Sequence, residues 1–160
     1  MKKLLIVSDT HGNKKELEKL LPLIAENDYF IHLGDGAWDV RSLSKEYPDK
    51  VYSCVGNCDL FIPYADEGVL DVEGVRIFYT HGHKYGVKQS LDALAYKAKE
   101  KDCDIALYGH THTPLITEIG GVTLINPGTL KHPLNAGGSY CYLVINGKKI
   151  TPVIVGQSFH

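Results

Sequence analysis

Lys3-Leu4-Leu5-Ile6-Val7-Ser8-Asp9-Thr10-His11-Gly12-Asn13 opens the first structural unit of the chain, and its reading decides the fold class. Residues 3–7 form a continuous leucine and β-branched run of strand length, which stops at Ser8-Asp9. From about residue 14 to 26 the pattern turns helical, with Leu17, Leu20, Leu21 and Ile24 as the expected buried stripe. Asn13 is the expected N-cap with Glu16 as its capping-box partner, and Pro22 is expected to bend the helix. Residues 29–33 read as a second buried strand ending in Gly34-Asp35. Strand, helix, strand makes a right-handed parallel crossover, so the class is α/β. Functional groups in such sheets gather at the carboxyl ends of strands, where Asp9, His11 and Asp35 fall.

Working outward, residues 38–47 suit a short helix and residues 51–55 a third strand, which is left through Gly56-Asn57-Cys58-Asp59. Residues 60–68, with Pro63, carry only loop signals. A hairpin follows, residues 69–72 and 75–80 about Glu73-Gly74, and runs into His81-Gly82-His83. Val87, Leu91, Leu94, Ala95 and Ala98 recur at helical spacing over residues 87–101. The strand at 105–108 then ends in Gly109-His110-Thr111-His112. Side chains repeat every second residue along a strand, so His110 and His112 leave its end on one side. The remainder reads as antiparallel: residues 115–119 and 122–125 about Gly120-Gly121, and 140–145 and 150–155 about Asn146-Gly147. Asn126-Pro127-Gly128-Thr129 and a glycine-rich loop lie between these hairpins. Neither repeats nor low-complexity runs interrupt the chain, and residues 1–160 are expected to form a single domain.

An apolar fraction of 44%, a charged fraction of 22% and a net charge of -2 are ordinary for a globular protein. They disfavour a dedicated nucleic-acid or anionic-membrane surface, so neither partner is expected, nor is a nuclease. The apolar run of the N-terminus is too short for a signal core, and a cytoplasmic location is expected. Cys54, Cys58, Cys103 and Cys141 form no C-x-x-C pair. Cys54, Cys103 and Cys141 read as reduced core fillers.

Five strand ends deliver Asp9 with His11, Asp35, Asn57, His81, and His110 with His112. Each has an ordinary explanation. Asp9 and Asp35 suit caps or turns, Asn57 a left-handed turn, and His81 and His83 a polar strand end. Their convergence at one edge favours a shared metal site. Seven oxygen and nitrogen ligands exceed what one catalytic ion takes, and two ions about 3.5–4 Å apart suit hydrolysis of phosphate esters. Asp35, alone after its strand, is the best bridge between such ions, together with a water whose lowered pKa makes hydroxide available at neutral pH. His32, inside an apolar run, reads as a core histidine, and His132 and His160 as solvated. Arg41, Lys84 and Lys131 can attract phosphate but more commonly such residues are only solvated.

In this order, Asp9-x-His11, Gly34-Asp35, Gly56-Asn57-x-Asp59, His81-Gly82-His83 and Gly109-His110-x-His112 resemble the signature blocks of the calcineurin-like metallophosphoesterases. Asn126-Pro127-Gly128 matches the small bacterial and archaeal phosphodiesterase branch. The resemblance implies a four-layer αββα sandwich of two mixed sheets. It also implies one ion on Asp9, His11, Asp35 and His112 and another on Asp35, Asn57, His81 and His110. Asp35, Asn57, Asp59 and His83 become the catalytic candidates, His83 on the substrate side. The cofactors implied are two divalent transition-metal ions, manganese ahead of iron, nickel, cobalt or zinc. The substrate expected is a small phosphodiester, and the chain a monomer or small homo-oligomer.

Cys58 departs from the wider family, whose monoesterases usually place a histidine there, paired with the next acid. A thiol of pKa about 8.5 protonates a leaving group less readily at neutral pH than an imidazole of about 6.5. Aryl diesters, whose leaving groups need little protonation, are therefore the expected substrates rather than alkyl monoesters. A second reading is a protein-interaction scaffold, as in the retromer subunit that resembles this branch but has a degraded metal site. Competent residues at all seven ligand positions favour the enzyme.

Overall fold

The computed structural model describes residues 1–156 of the 160, so His160 lies outside the described residues. In chain order, β1 (Lys2–Val7) leads through α1 (Lys14–Glu18) and α2 (Leu21–Glu26) to β2 (Tyr29–His32). A 3₁₀ segment (Ala37–Val40) and α3 (Arg41–Glu46) then lead to β3 (Val51–Ser53). The hairpin β4 (Glu67–Val72) and β5 (Val75–Thr80) is followed by α4 (Asp92–Glu100), β6 (Ile105–Leu107), β7 (Leu115–Ile119) and β8 (Val122–Asn126). The chain closes with β9 (Ser139–Asn146) and β10 (Lys149–Gly156). Among the described residues no helix is long and apolar enough to cross a membrane.

Two five-stranded sheets form, in the orders β10-β9-β1-β2-β3 and β4-β5-β6-β8-β7. Both are mixed. β1, β2 and β3 are mutually parallel, as are β5, β6 and β8, while β9, β10, β4 and β7 pair antiparallel at the flanks. Leu4, Ile6, Ile31 and Leu33 of the first sheet pack against Ile77, Ile105, Leu107 and Ile125 of the second, all without exposure. Leu5, Val7 and Phe30 turn the other way, onto Leu17, Leu20, Ile24 and Leu43 of the first helices. Phe78, Ala106 and Leu124 meet Leu94, Ala95 and Ala98 of α4. These three apolar layers separate four layers of structure, the αββα sandwich. The parallel strands in the middle of each sheet bring their carboxyl ends to one edge, because parallel neighbours share a direction.

Several local expectations are corrected. The helix expected over residues 14–26 is broken in two: Pro22 lacks an N–H and sits in the first turn of α2, where none is needed. Leu21 consequently leaves the buried stripe and is 40% exposed. Asn13 makes no side-chain cap, since its Nδ2 donates to the Lys131 carbonyl at 2.9 Å, and Glu16 accepts from Lys19 Nζ and the Leu134 amide instead. The helix expected from residue 87 begins at Asp92, and Val87 is buried in the preceding turn. β8 is parallel to β6, not part of a wholly antiparallel remainder, because β7 takes the outer edge. In the last hairpin Asn146 pairs with Lys149, so the turn is Gly147-Lys148, with the positive φ of 60° at Gly147.

Candidate metal centre

Backbone conformation marks the edge where the strands end. Among the described residues eight non-glycine residues have positive φ, and five are Asp9 (55°), His11 (45°), Asp35 (55°), His110 (72°) and His112 (65°). Left-handed backbone costs a side-chain-bearing residue energy and persists only when surrounding bonds over-determine it. Those bonds join successive strand ends. The amide of Asp9 donates to the Gly34 carbonyl at 3.0 Å, that of His11 to the Asp35 carbonyl at 2.9 Å, and that of Gly109 to the His81 carbonyl at 2.9 Å. Across the sheets, His110 N–H donates to Asp9 Oδ2 at 3.0 Å, and Thr129 Oγ1 donates to the Asp9 carbonyl at 2.7 Å. Gly34, with φ of 98°, allows a close backbone approach: a Cβ there would stand 2.6 Å from the Gly56 nitrogen.

The side chains so presented form two groups. In one, Asp9 Oδ1 lies 3.2 Å from His112 Nε2 and 3.6 Å from His11 Nε2, and the two imidazole nitrogens are 3.3 Å apart. In the other, His81 Nε2 lies 3.2 Å from Asp35 Oδ2 and 3.2 Å from His110 Nδ1. The groups are joined, since Asp35 Oδ2 is also 3.8 Å from His11 Nε2 and Asp9 Oδ1 is 3.9 Å from His81 Nε2. Asp9-His11-His112 and Asp35-His81-His110 each place three ligand atoms within 4.8 Å of one another.

The donor set fits cations. A carbonyl only accepts, so at 2.8 Å from the Leu33 carbonyl His81 Nδ1 carries the hydrogen, and the Nε2 of the neutral ring presents a lone pair to Asp35 and His110. Asp9 Oδ1 is buried with no hydrogen-bond donor among the described residues, although three imidazoles surround it. Lone pairs converging on a carboxylate repel unless positive charge lies between them. Without a metal, protons partly fill that need. Burial pushes the Asp35 carboxyl up, but the His81 bond and charge and the Cys58 amide outweigh it, and the group is held far below the usual carboxylate range. Asp9 is likewise lowered against its burial, by His112, His81, Ser8 and the His110 amide. Burial lowers His81, yet Asp35 and Asp9 leave it raised, while desolvation and the His81 charge lower His83 and His110.

The sequence profile of the calcineurin-like phosphoesterase superfamily domain matches residues 1–148. The chain belongs to this superfamily. The chain is 35% identical over 150 residues to the probable metallophosphoesterase YsnB of Bacillus subtilis, covering 92% of this chain and 86% of the relative. It is 31% identical over 158 residues to the phosphodiesterase YfcE of Escherichia coli K12, covering 83% and 82%. Its fold is similar to the crystal structure of a predicted phosphoesterase from Streptococcus pneumoniae, with a TM-score of 0.83, 25% identity, and 97% and 89% of the two chains covered. It is also similar to Vacuolar Protein Sorting 29 from Cryptosporidium parvum, with a TM-score of 0.76, 19% identity and 98% of each chain covered, a likeness of fold alone.

Within the phosphoesterase, Asp9, His11, Asp35, His81, His110 and His112 converge, and Asn57 does not join them. Asn57 is exposed and its Nδ2 donates to Cys58 Sγ at 3.5 Å. Cys58 Sγ instead forms a third grouping with His11 and Asp35. Burial, then Asp35, Asp59 and Asp9, push its thiol up, so it stays protonated at neutral pH. Asp59, expected among the catalytic groups, turns its carboxylate onto backbone amides. Its carboxylate accepts the amides of Asp35 (2.7 Å), Gly36 (2.8 Å), Ala37 (3.0 Å) and Gly56 (2.8 Å), which leaves no oxygen free for proton transfer. His83 sits beside His81 with ring centroids 5.4 Å apart, and its buried Nδ1 has no partner among the described residues.

Lys84 pairs with Asp66 at 2.6 Å, Arg41 stacks on Trp38, and Lys131 and His132 are exposed. His32 is the core histidine expected. The Gly34 amide donates to its Nδ1, so Nε2–H donates to Thr10 Oγ1, whose hydroxyl donates to Asp39 Oδ2 at 2.6 Å. Sequence reasoning missed this Thr10–His32–Asp39 network and Thr129, and in both only long-range contacts reveal the role. Asn126 reads in the sequence as part of the Asn126-Pro127-Gly128 turn, yet its Nδ2 also ties down Gly109 and Thr111 beside the last two histidines.

Proposed function

We propose that this phosphoesterase is a two-metal phosphodiesterase acting on small diesters. The observation that carries the reading is the pair of imidazole groups joined through Asp35, with His81 Nε2 turned inward by the bond from its Nδ1 to the Leu33 carbonyl. Asp9, His11, Asp35 and His112 would hold one divalent transition-metal ion, and Asp35, His81 and His110, with Asn57 turned from Cys58, the other. A nitrogen and oxygen set without an ionised thiolate accepts manganese, iron, nickel, cobalt or zinc, and manganese is the metal chosen for the tests below. When bound, such ions supply Lewis acidity that activates water and offsets charge on phosphoryl oxygens.

The chain's own residues account for the preference. Asp59 holds the Asp35 turn, and the Gly34 contact holds Asp9, so that the carboxylates meet the ions without reorganising. His83, kept neutral, borders the His81-His110 side and can donate a hydrogen bond to a phosphate oxygen. Cys58 stands where a proton donor would serve an alkoxide, and its raised pKa makes it a weak one. Phenolate leaving groups need no such donor. The YfcE relative's name, phosphodiesterase, agrees with this reading. A protein scaffold would gain nothing from three turns that hold five ligand-bearing residues in left-handed backbone, so the enzyme is favoured. On manganese-reconstituted protein, aryl diesters are expected to turn over faster than alkyl monoesters. Faster monoester hydrolysis overturns the preference.

A further inference from the structure

Trp38 is the chain's only tryptophan, and 52% of its surface is exposed although indoles are usually well buried. It lies three residues after Asp35 on a fixed support. The amides of Gly36 and Ala37 donate to Asp59 at 2.8 and 3.0 Å, and Asp39 Oδ2 accepts from Thr10 Oγ1 and from the Gly12 amide. The indole therefore needs no rearrangement to hold a position in space.

It forms a wall of a cleft of about 300 Å³ that it shares with His11, Asp35 and Cys58. The cleft thus opens on the same side chains as the candidate metal centre. Arg41 places its guanidinium carbon 4.9 Å from the indole centroid yet does not line the cleft, so it backs the indole and leaves the cleft side free. No lysine or arginine lines the cleft, and its other carboxylates, Asp39 and Asp59, are occupied by hydroxyl and backbone donors. Such a wall does not suit a second phosphate group. It suits a flat, uncharged ring carried by the ester group that is not displaced, and a nucleobase is the flat, uncharged group that ordinarily accompanies a phosphodiester.

We propose that Trp38 is a stacking platform that makes the enzyme selective for nucleoside phosphodiesters, with the base on the indole and phosphorus beside Asp35. This rests on the phosphodiesterase reading above and adds the substrate class and the residue that recognises it. Base–aromatic stacking is commonly worth a factor of about ten or more in affinity.

The test compares thymidine 5′-(4-nitrophenyl) phosphate with methyl 4-nitrophenyl phosphate on manganese-loaded protein, since both release the same phenolate. Trp38→Ala is expected to raise KM for the nucleoside ester about tenfold and to leave its kcat and both constants for the methyl ester within about twofold, with Trp38→Phe in between. Equal effects on both esters, or none on either, overturn the proposal. A second readout does not depend on turnover: adenosine should quench the single tryptophan's fluorescence saturably. If wild type hydrolyses neither ester, the phosphodiesterase reading fails, and the quench then decides for the platform if saturable and against it if absent.

Discussion

The two imidazole groups flanking Asp35 differ in how far they are withdrawn from water. His81 has no exposed side-chain surface and its Nδ1 is tied to the Leu33 carbonyl, with Asp35 only 3% exposed beside it. His11 and His112 expose 23% and 35% of their side chains and meet each other and Asp9 through Nε2. The first group is therefore preorganised by a bond behind the ring, and the second is open to solvent and to the Trp38 cleft. A ligand set held by such backing bonds binds metal more tightly than one free to turn. If two ions bind as proposed, the His81 side is expected to hold its ion more tightly and the His112 side to exchange its ion more readily.

The largest effect should follow from removing what the two sides share. Asp35→Ala is expected to lower kcat by at least about a hundredfold and to weaken both ions, because even supporting residues commonly cost that much. A loss confined to one ion, seen by isothermal titration, breaks the picture of a shared bridge.

His32 should affect both sides alike, through Gly34 on one hand and Thr10 on the other. Burial holds its pKa down at about 4 against an ordinary 6.5. The unfolded chain therefore takes up this proton first as pH falls. The contribution is complete above about pH 6.5 and fades toward pH 4, at most about 3 kcal/mol over that window. Urea unfolding in chelator should show it as a difference in pH slope between wild type and His32→Gln, which separates it from His81, whose raised pKa acts in the opposite sense. Identical slopes contradict the buried neutral His32.

Asp59→Asn turns an amide NH2 toward backbone donors, and about 2 kcal/mol of stability should go with it. Metal affinity should fall on both sides, since Asp59 fixes the amide of the Asp35 that they share. The smallest effect is expected at Cys58→Ala, less than about tenfold in kcat for an aryl diester, below the range of a working general acid. A larger loss would restore Cys58 as a proton donor.

The same contrast between local and distant causes explains what was legible in the sequence. Strand ends at Val7, Thr80 and Leu107 were readable because an apolar run and its stop are local, and the ligands stand just beyond them. The parallel centre of the second sheet was not, because β6 and β8 are separated by a hairpin strand that takes the edge. Asp59 looked catalytic from its place beside Cys58, but its role is decided by amides more than 20 residues earlier. Leu21 fitted the helical stripe until Pro22 restarted the helix. The left-handed turns at Asp9 and His110 had no local sign, since bonds from other strand ends impose them.

That Asp35 joins two unequal metal sites is tested most directly by isothermal titration of the metal-stripped wild type and His112→Ala with manganese, read at saturation. Wild type should hold two ions per chain and His112→Ala one, retained on the His81 side. Equal metal content in the two proteins would contradict the account.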